Sequence, residues 1–525
     1  MRITPINIGC EVQLFFDNFI IEFIQALTRR MHQPAKHPAN PVVKKDRPWE
    51  ITPYWRTGSM CVAFDPEENL FKSWYYCYAW DYDRYFNKDG SHAGLNPPGW
   101  LETVDIRWMY AESEDGISWH KPELDYRKID GQKTNICLGR EDYGKGFIGS
   151  FFLDPLENDP VRRFKALHLY LPPDKPNEVQ TRVSYSADGR TWTSEPKGVT
   201  VGDISQNVFG DEIMVLPDPP SGQYIITVRE HAMAERLDVR YKTVPCRVEA
   251  NWEPPFYLDN PHLMNKRRVF MTNSNSLLET PSLREMLVPD DTEDNLDDEF
   301  YCMPIIRIGD MFIGFLNVLH GVDNTMNVQL LYSRNAFDWK RVERGRPFLD
   351  VDEQSWDKYL VEIGNSVVFR DDAIYIYYGA SACHHDWWMW GEKEGLDMSD
   401  TPGVSDTAMG LATLRPEGFV SIDSTVRPGL LLTRPFVSHG SQLRVNVQCE
   451  PNGNFEVELT DADDQVIPGY ERSACDTFTG DAPRHVVTWG GKSQLPRAVL
   501  AKGAKLRFFS HHASIYAFQI MDKND

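Results

Sequence analysis

Residues 113–119 read SEDGISW, residues 186–192 read SADGRTW and residues 333–339 read SRNAFDW. The shared pattern is Ser-x-(Asp/Asn)-(Gly/Ala)-x-x-Trp, and its physical content is a tight turn. Short Ser and Asp/Asn side chains cap backbone groups, and Gly accepts a positive φ. The Trp is left to plug the gap to a neighbouring sheet. The three serines are separated by 73 and 147 residues, one and two lengths of a common period. Each box follows a strand-like run (108–112, 182–185, 329–332), and a degraded copy falls at 248–252.

Upstream of the boxes a second unit recurs: a strand, an acidic tight turn, then an aromatic strand. Its turns carry Asp65, Asp154, Asp218, Asp310 and Asp372, at intervals of 89, 64, 92 and 62 residues. A mean period of about 77 residues marks a repeated supersecondary unit with insertions. Five units of about four antiparallel strands, each needing neighbours on both faces, predict an all-β chain closed as a five-bladed β-propeller. A pair of β-sandwiches explains the regular hairpin spacing less well. Residues 46–424 form the expected propeller. Residues 425–525 lack the box and carry strand-like runs at 442–448, 455–459, 485–489, 505–509 and 514–520, which predicts a C-terminal β-sandwich. Residues 1–45 are expected to supply a strand (12–21) and a strap packed on the propeller. Only 17–30 and 280–287 have a pattern that would carry a helix, and the acidic stretch 290–299 reads as a solvated loop.

Composition narrows the function. The 525 residues hold 55 basic and 77 acidic side chains, a net charge of −22, with 41% apolar and 12% aromatic residues. That supports a large core and argues against nucleic acid as a partner, since the chain would repel a phosphate backbone. No run of about 18 uncharged apolar residues exists, so no membrane partner is expected. The apolar N-terminal stretch 14–27 is broken by Asp17 and Glu22 and makes a poor signal peptide, which predicts a cytoplasmic location, or a periplasmic or secreted one if a leader was removed. The nine cysteines show no CxxC spacing and read as small core residues; neither a metal nor a cofactor is expected.

The order of five hairpins, the Ser-x-Asp-Gly boxes and the appended sandwich resemble the five-bladed glycoside hydrolases of the invertase, levansucrase and arabinanase type. The opening QLFFDNFIIE with TRRMHQPAKHPANPVV, and the tail segments LLLTRPF, GSQLRVNV, VELTDADDQVIPGY and SIYAF, are similar to bacterial proteins described as glycosyl hydrolase family 32 N-terminal-domain-like. The family's WMNDPNG-type, RDP and EC segments do not occur here. The resemblance implies a sugar-active propeller and no particular sugar.

In a propeller, functional side chains belong near the start of each blade's innermost strand, 7–12 residues before the hairpin turn. Reading back roughly that far from each turn gives Tyr54, Trp55 and Arg56; Glu141, Asp142 and Lys145; Asp211 and Glu212; Asp298, Glu299 and Tyr301; and Asp357 and Glu362. Glycosidic cleavage needs two carboxyls flanking the scissile bond, and acids from different blades can supply them. Glu212 precedes an apolar strand and matches the blade-three acid/base position that the resemblance implies. Asp142 matches the blade-two aspartate that stabilises the transition state. Glu362 sits among apolar residues. Asp17 in FFDNF is either a nucleophile on the closing strand or a strand-end cap. Arg56, Asp211 and Arg229 are candidate substrate binders, the arginines alternatively inter-blade ion pairs. His320 and His385 end strands on successive blades, as a pocket rim would. Trp387 and Trp388, in DWWMW, either stack on a sugar ring or pack against the sandwich or another subunit. The expected partner is a carbohydrate, with a homo-oligomer allowed. The expected activity is an exo-acting glycoside hydrolase releasing a terminal furanoside or unusual deoxy or anhydro sugar. The alternatives are a mannoside-type phosphorylase, with phosphate held by Arg56, Lys145 or His385, and a carbohydrate-binding propeller without turnover.

Overall fold

The computed structural model describes residues 4–50, 52–55, 60–79, 105–139, 147–170, 180–202, 209, 211–233, 265–289, 294–295, 297–385 and 407–522. Among these the chain is almost wholly β, with one short α-helix, Arg497–Leu500. The repeats appear as five antiparallel meanders. Their first strands are Met60–Asp65, Phe147–Leu153, Asp211–Asp218, Asp298–Cys302 continued by Ile305–Ile308, and Leu360–Phe369. Each pairs with an aromatic-rich second strand and then a third, as in Phe147–Leu153, Phe164–Tyr170 and Gln180–Ser186. All five first strands contribute to one cavity of about 420 Å³, with Val62, Phe151, Val215, Ile305 and Val367 in its wall. That shared cavity makes residues far apart in the chain neighbours.

The turn boxes have one geometry three times over. The Ser113 hydroxyl donates to Asp115 (2.9 Å) and accepts from Gly116 N–H (2.9 Å), and the Asp115 carboxylate accepts from Ile117 and Ser118 N–H. Ser186 with Asp188, and Ser333 with Asn335, repeat it. The fourth position has φ of +76°, +73° and +62° at Gly116, Gly189 and Ala336. In all three the Trp indole N–H donates to that residue's carbonyl, as Trp192 does to Gly189 at 3.0 Å. Trp192 packs edge-on to Trp74 of the preceding meander.

The turn aspartates bind successive meanders together. Asp65, fully buried, accepts from Lys72 (2.8 Å) on its own hairpin and twice from Arg163 (2.6 and 2.8 Å) on the second meander. Asp154 accepts from Lys165 (2.7 Å) and from the Tyr224 hydroxyl (2.7 Å) on the third, and Asp218 accepts twice from Arg307 on the fourth. Buried carboxylates are tolerated only when paired this fully. Asp310 and Asp372 lie exposed and form no such link in the structure.

Residues 17–30 are not helical. Strands Ile21–Gln25 and Leu27–Met31 pair with Gly429–Thr433 and Val420–Ser424, and the 280–287 segment likewise carries the strand Arg284–Leu287. In 17–30 a 3.6-residue pattern lost to strand pairing with partners some 400 residues away, which no local rule registers, and in 280–287 it lost to an antiparallel partner at 269–271. The N-terminal segment also gives Ile6–Asn7 and Gln13–Leu14 to the same ten-stranded sheet, whose longest strands are Gln442–Asp461 and Ala504–Met521. Leu14, Phe16 and Met31 meanwhile pack with Ile313, Phe315 and Ile376 of the meanders. The C-terminal strands enclose a separate core around Phe455, Phe508 and Phe518. The described cysteines form no disulfide, and Cys61, Cys137 and Cys302 lie in the core.

Gly189 and Gly345 separate backbone strain from crowding. Both have positive φ (+73° and +65°), but a Cβ at Gly189 would sit 2.8 Å from the Trp74 ring, whereas at Gly345 nothing lies within 4 Å. Gly345→Ala is expected to cost about 1–2 kcal/mol, the left-handed penalty alone. Gly189→Ala should cost measurably more. Urea unfolding of both variants checks this, and equal losses would contradict it.

Candidate active site

The turn ends of the first strands line the apolar cavity; their opposite ends carry charge. Glu212 stands one residue into the third meander. Between the pairs Asp211–Arg229 and Met214–Thr227, three residues advance on one strand against two on the other, so Glu212 occupies a bulge. Its φ is +55°, a left-handed conformation that costs a non-glycine residue about 1–2 kcal/mol. Bulges of this kind re-aim a side chain, and such strain concentrates at functional sites. The side chain is buried at 3% exposure, and Glu362, on the first strand of the fifth meander, is at 0%.

Both carboxylates lie near enough to one buried thiol for their charge to bear on it. The Cys302 thiol, at the end of Asp298–Cys302 in the fourth meander, is pushed well above its ordinary pKa. Burial is the main cause, followed by the negative charges of Glu212 and Glu362; a hydrogen bond from Asn317 and the charge of Arg229 oppose it. Two acids 150 residues apart and one arginine, from the third and fifth meanders, therefore act on a sulfur of the fourth.

Around them is a cationic and aromatic wall. The Arg229 guanidinium lies 4.1 Å from the Tyr301 ring centre and that of Arg267 5.4 Å, both within cation–π range. Arg267 is also ion-paired with Glu299. The Tyr301 hydroxyl is hydrogen-bonded to His385 Nε2 at 2.9 Å, and the His385 backbone N–H donates to the Asn324 carbonyl. His320 sits across the ladder from Asp298, with its Nδ1 2.6 Å from that carboxylate. His384 stacks on Tyr359 with ring centres 3.9 Å apart.

The structure thus brings together Glu212, Glu362, Arg229, Glu299, Tyr301, His385, His320 and Asp298 at the strand starts. It does not bring Asp17 to them. That carboxylate accepts twice from Arg334 (2.9 Å each) and from Phe19 N–H, and these bonds hold it below its ordinary pKa although burial opposes them. Arg334 belongs to the third turn box, so Asp17 ties the N-terminal segment to that turn. Asp357 accepts from Lys36 (2.6 Å) and the Tyr378 hydroxyl. Asp142, Glu141, Lys145, Arg56, Trp387 and Trp388 lie outside the described residues, as does the side chain of Asp211. Among the described residues no cluster of three His, Cys, Asp or Glu side chains is placed to hold a metal. Arg267, Cys302 and Asn317 were not anticipated. Asn317 is the lone polar side chain within MFIGFLNVL, and that interruption was the available signal.

The His320–Asp298 pair has a definite pH signature. Burial lowers the affinity of His320 for a proton, but the hydrogen bond and charge of Asp298 outweigh it, so the pKa lies above the ordinary 6.5. Asp298 is correspondingly lowered from 3.8 despite burial. A raised histidine contributes stability that is complete below 6.5 and lost as pH rises through the folded value. The aspartate's share is present above 3.8 and lost as pH falls through its own folded value. His320→Gln should therefore lower the melting temperature most at about pH 5.5 and progressively less toward about pH 9. A gap that does not change with pH would contradict the pairing.

No family profile matches the sequence, and no curated protein matches it. Solved structures align with it at low identity. A structure from work on the GH130 family of mannoside phosphorylases, with hydrolases targeting β-1,2-mannosidic linkages in Candida mannan, is 13% identical over 74% of this chain and 94% of that one (TM-score 0.43). The β-1,2-mannobiose phosphorylase of Listeria innocua is 10% identical over 73% and 96% (TM-score 0.43). A family 43 arabinoxylan arabinofuranohydrolase of Bacillus subtilis is 10% identical over 93% and 99% (TM-score 0.39).

Proposed function

We propose that the five meanders are the blades of a five-bladed β-propeller, followed by a C-terminal β-sandwich, and that the chain cleaves glycosidic bonds at the strand-start end of the propeller axis. The observation that carries this reading is that two buried acids, Glu212 in its left-handed bulge and Glu362, stand at the start ends of two strands whose far ends line one cavity. Glycoside cleavage needs two carboxyls flanking the scissile bond, and acids from two meanders can supply them. Glu212, held in its bulge, is the general acid that protonates the leaving oxygen. Glu362 is the second carboxylate, acting on the anomeric carbon directly or through water. Arg229, stacked on Tyr301, can fork to the hydroxyls of a sugar. The reaction is exo-acting release of a terminal sugar from an oligo- or polysaccharide. The sequence resemblance to sugar-active propellers supports the same class.

The pairing of Arg229 and Arg267 about Tyr301 favours a second reading, transfer of the sugar to inorganic phosphate. A guanidinium pair is suited to bind a phosphate that would replace water as the attacking group.

The decisive assay uses aryl glycosides and β-linked disaccharides, with and without phosphate. Free sugar released without phosphate supports hydrolysis; sugar 1-phosphate formed only with phosphate supports the second reading. Glu212→Gln is expected to lower kcat about 10²–10⁴-fold. Full activity in that variant would remove its assigned role, and binding without product release by the wild type would leave a carbohydrate-binding propeller.

A further inference from the structure

One side chain couples the fourth meander to the strand that carries Glu362. Asn317 is fully buried on the strand Met311–His320. Its Nδ2 donates to the Ile363 carbonyl (2.9 Å) and to Cys302 Sγ (3.0 Å), and its Oδ1 accepts the Ile363 N–H (2.9 Å). Both backbone groups of the residue after Glu362 are thus bound by one carboxamide, in the manner of a neighbouring strand.

The reason lies in the ladder. Leu360–Phe369 meets the fourth meander only at the pair Met326–Leu360 and the first meander only at Asn365–Cys61, so neither neighbouring strand serves Ile363. On its other side the register with Ile374–Ser381 slips. Between the pairs Ile363–Tyr378 and Val367–Ile376, four residues advance against two. The backbone just past Glu362 therefore leaves the regular ladder, and its direction is set by whatever grips Ile363 and the residues of the slip. Within the slip, Asn365 Nδ2 donates to the Val215 carbonyl (2.8 Å), three residues along the strand from Glu212, and to the Ser150 hydroxyl.

We infer that Asn317 is a positioning residue that sets the Glu362 carboxyl relative to Glu212, with Asn365 holding the far side of the same irregular stretch. The carboxamide bridges Cys302, the sulfur on which both acids act, and Ile363, the neighbour of one of them. Neither asparagine takes part in bond making; each orients a group that does. The inference rests on the paired-carboxylate reading for its catalytic consequence, and on the hydrogen bonds alone for its geometric one.

The test compares crystal structures and kinetics of the wild type and Asn317→Ala. The separation of the Glu212 and Glu362 carboxyls should change by more than about 0.5 Å, the tolerance within which a catalytic pair must be held. With the substrate identified by the assays above, kcat should fall about 10–100-fold with KM unchanged within about twofold, as expected for misplacement of a reacting group. In a Glu362→Gln background the same substitution should cost less than about threefold, because the group it positions is already gone. An unchanged carboxyl separation overturns the inference, as does an equal loss of kcat in both backgrounds. Asn317→Asp, which keeps the size and the acceptor for Ile363 N–H but loses both donations, gives the same readouts if the alanine variant does not fold. A chain that cleaves no glycoside defeats the catalytic reading, while the carboxyl separation still decides the geometric claim.

Discussion

A carboxylate buried at a hairpin turn and gripped by the next sheet is the contact on which the arrangement of the meanders depends. Asp65 with Arg163, Asp154 with Tyr224 and Asp218 with Arg307 each join one repeat to its successor at the same relative place. Taking an ion from water costs several kcal/mol, recovered only when geometry is good and every remaining lone pair is used. Such a pair tolerates little sliding, so it fixes register between sheets whose other contacts are apolar and forgiving. Where the turn acid is exposed, other polar contacts take over. Asn317 bonds the fifth meander's first strand, and the Tyr377 hydroxyl donates to the Gly116 carbonyl of the first box.

The charged ends of the first strands inherit that fixed register. Glu212 and Glu362 lie on strands whose far ends line one apolar cavity, so the spacing of the acids follows from how those strands lean together. Bulge and slip then correct the aim locally. Glu212 takes a left-handed backbone at its bulge, and the strand of Glu362 leaves its ladder one residue past the acid. Both irregularities fall beside a carboxylate, where regular pairing would point side chains alternately and leave no choice of direction.

Reading back from each hairpin turn put Glu212, Glu362, Glu299 and Tyr301 near the starts of their first strands, where the structure has them, because a hairpin's first strand runs directly into its turn. It said nothing of Arg229 and Arg267, which arrive from second and third strands, nor of Cys302 and Asn317, which arrive by cross-strand pairing. Asp17 shows the opposite failure. As an acid in an aromatic segment it looked suited to the site, but a bidentate arginine from a turn box over 300 residues away holds it elsewhere. The 17–30 segment failed as a helix for the same reason: its partners are C-terminal strands.

The sequence by itself determined the turns, since each box closes hydrogen bonds among seven consecutive residues and needs nothing else. It also determined the period, and with it the number of hairpins. Only the tertiary structure decided which acids meet, which arginines face them and which are spent on ion pairs, and that the N-terminal strands belong to the C-terminal sheet. Those outcomes hinge on contacts between residues tens to hundreds of positions apart, whose energies come from desolvation and packing in a shared interior and leave no trace in any local pattern of side chains.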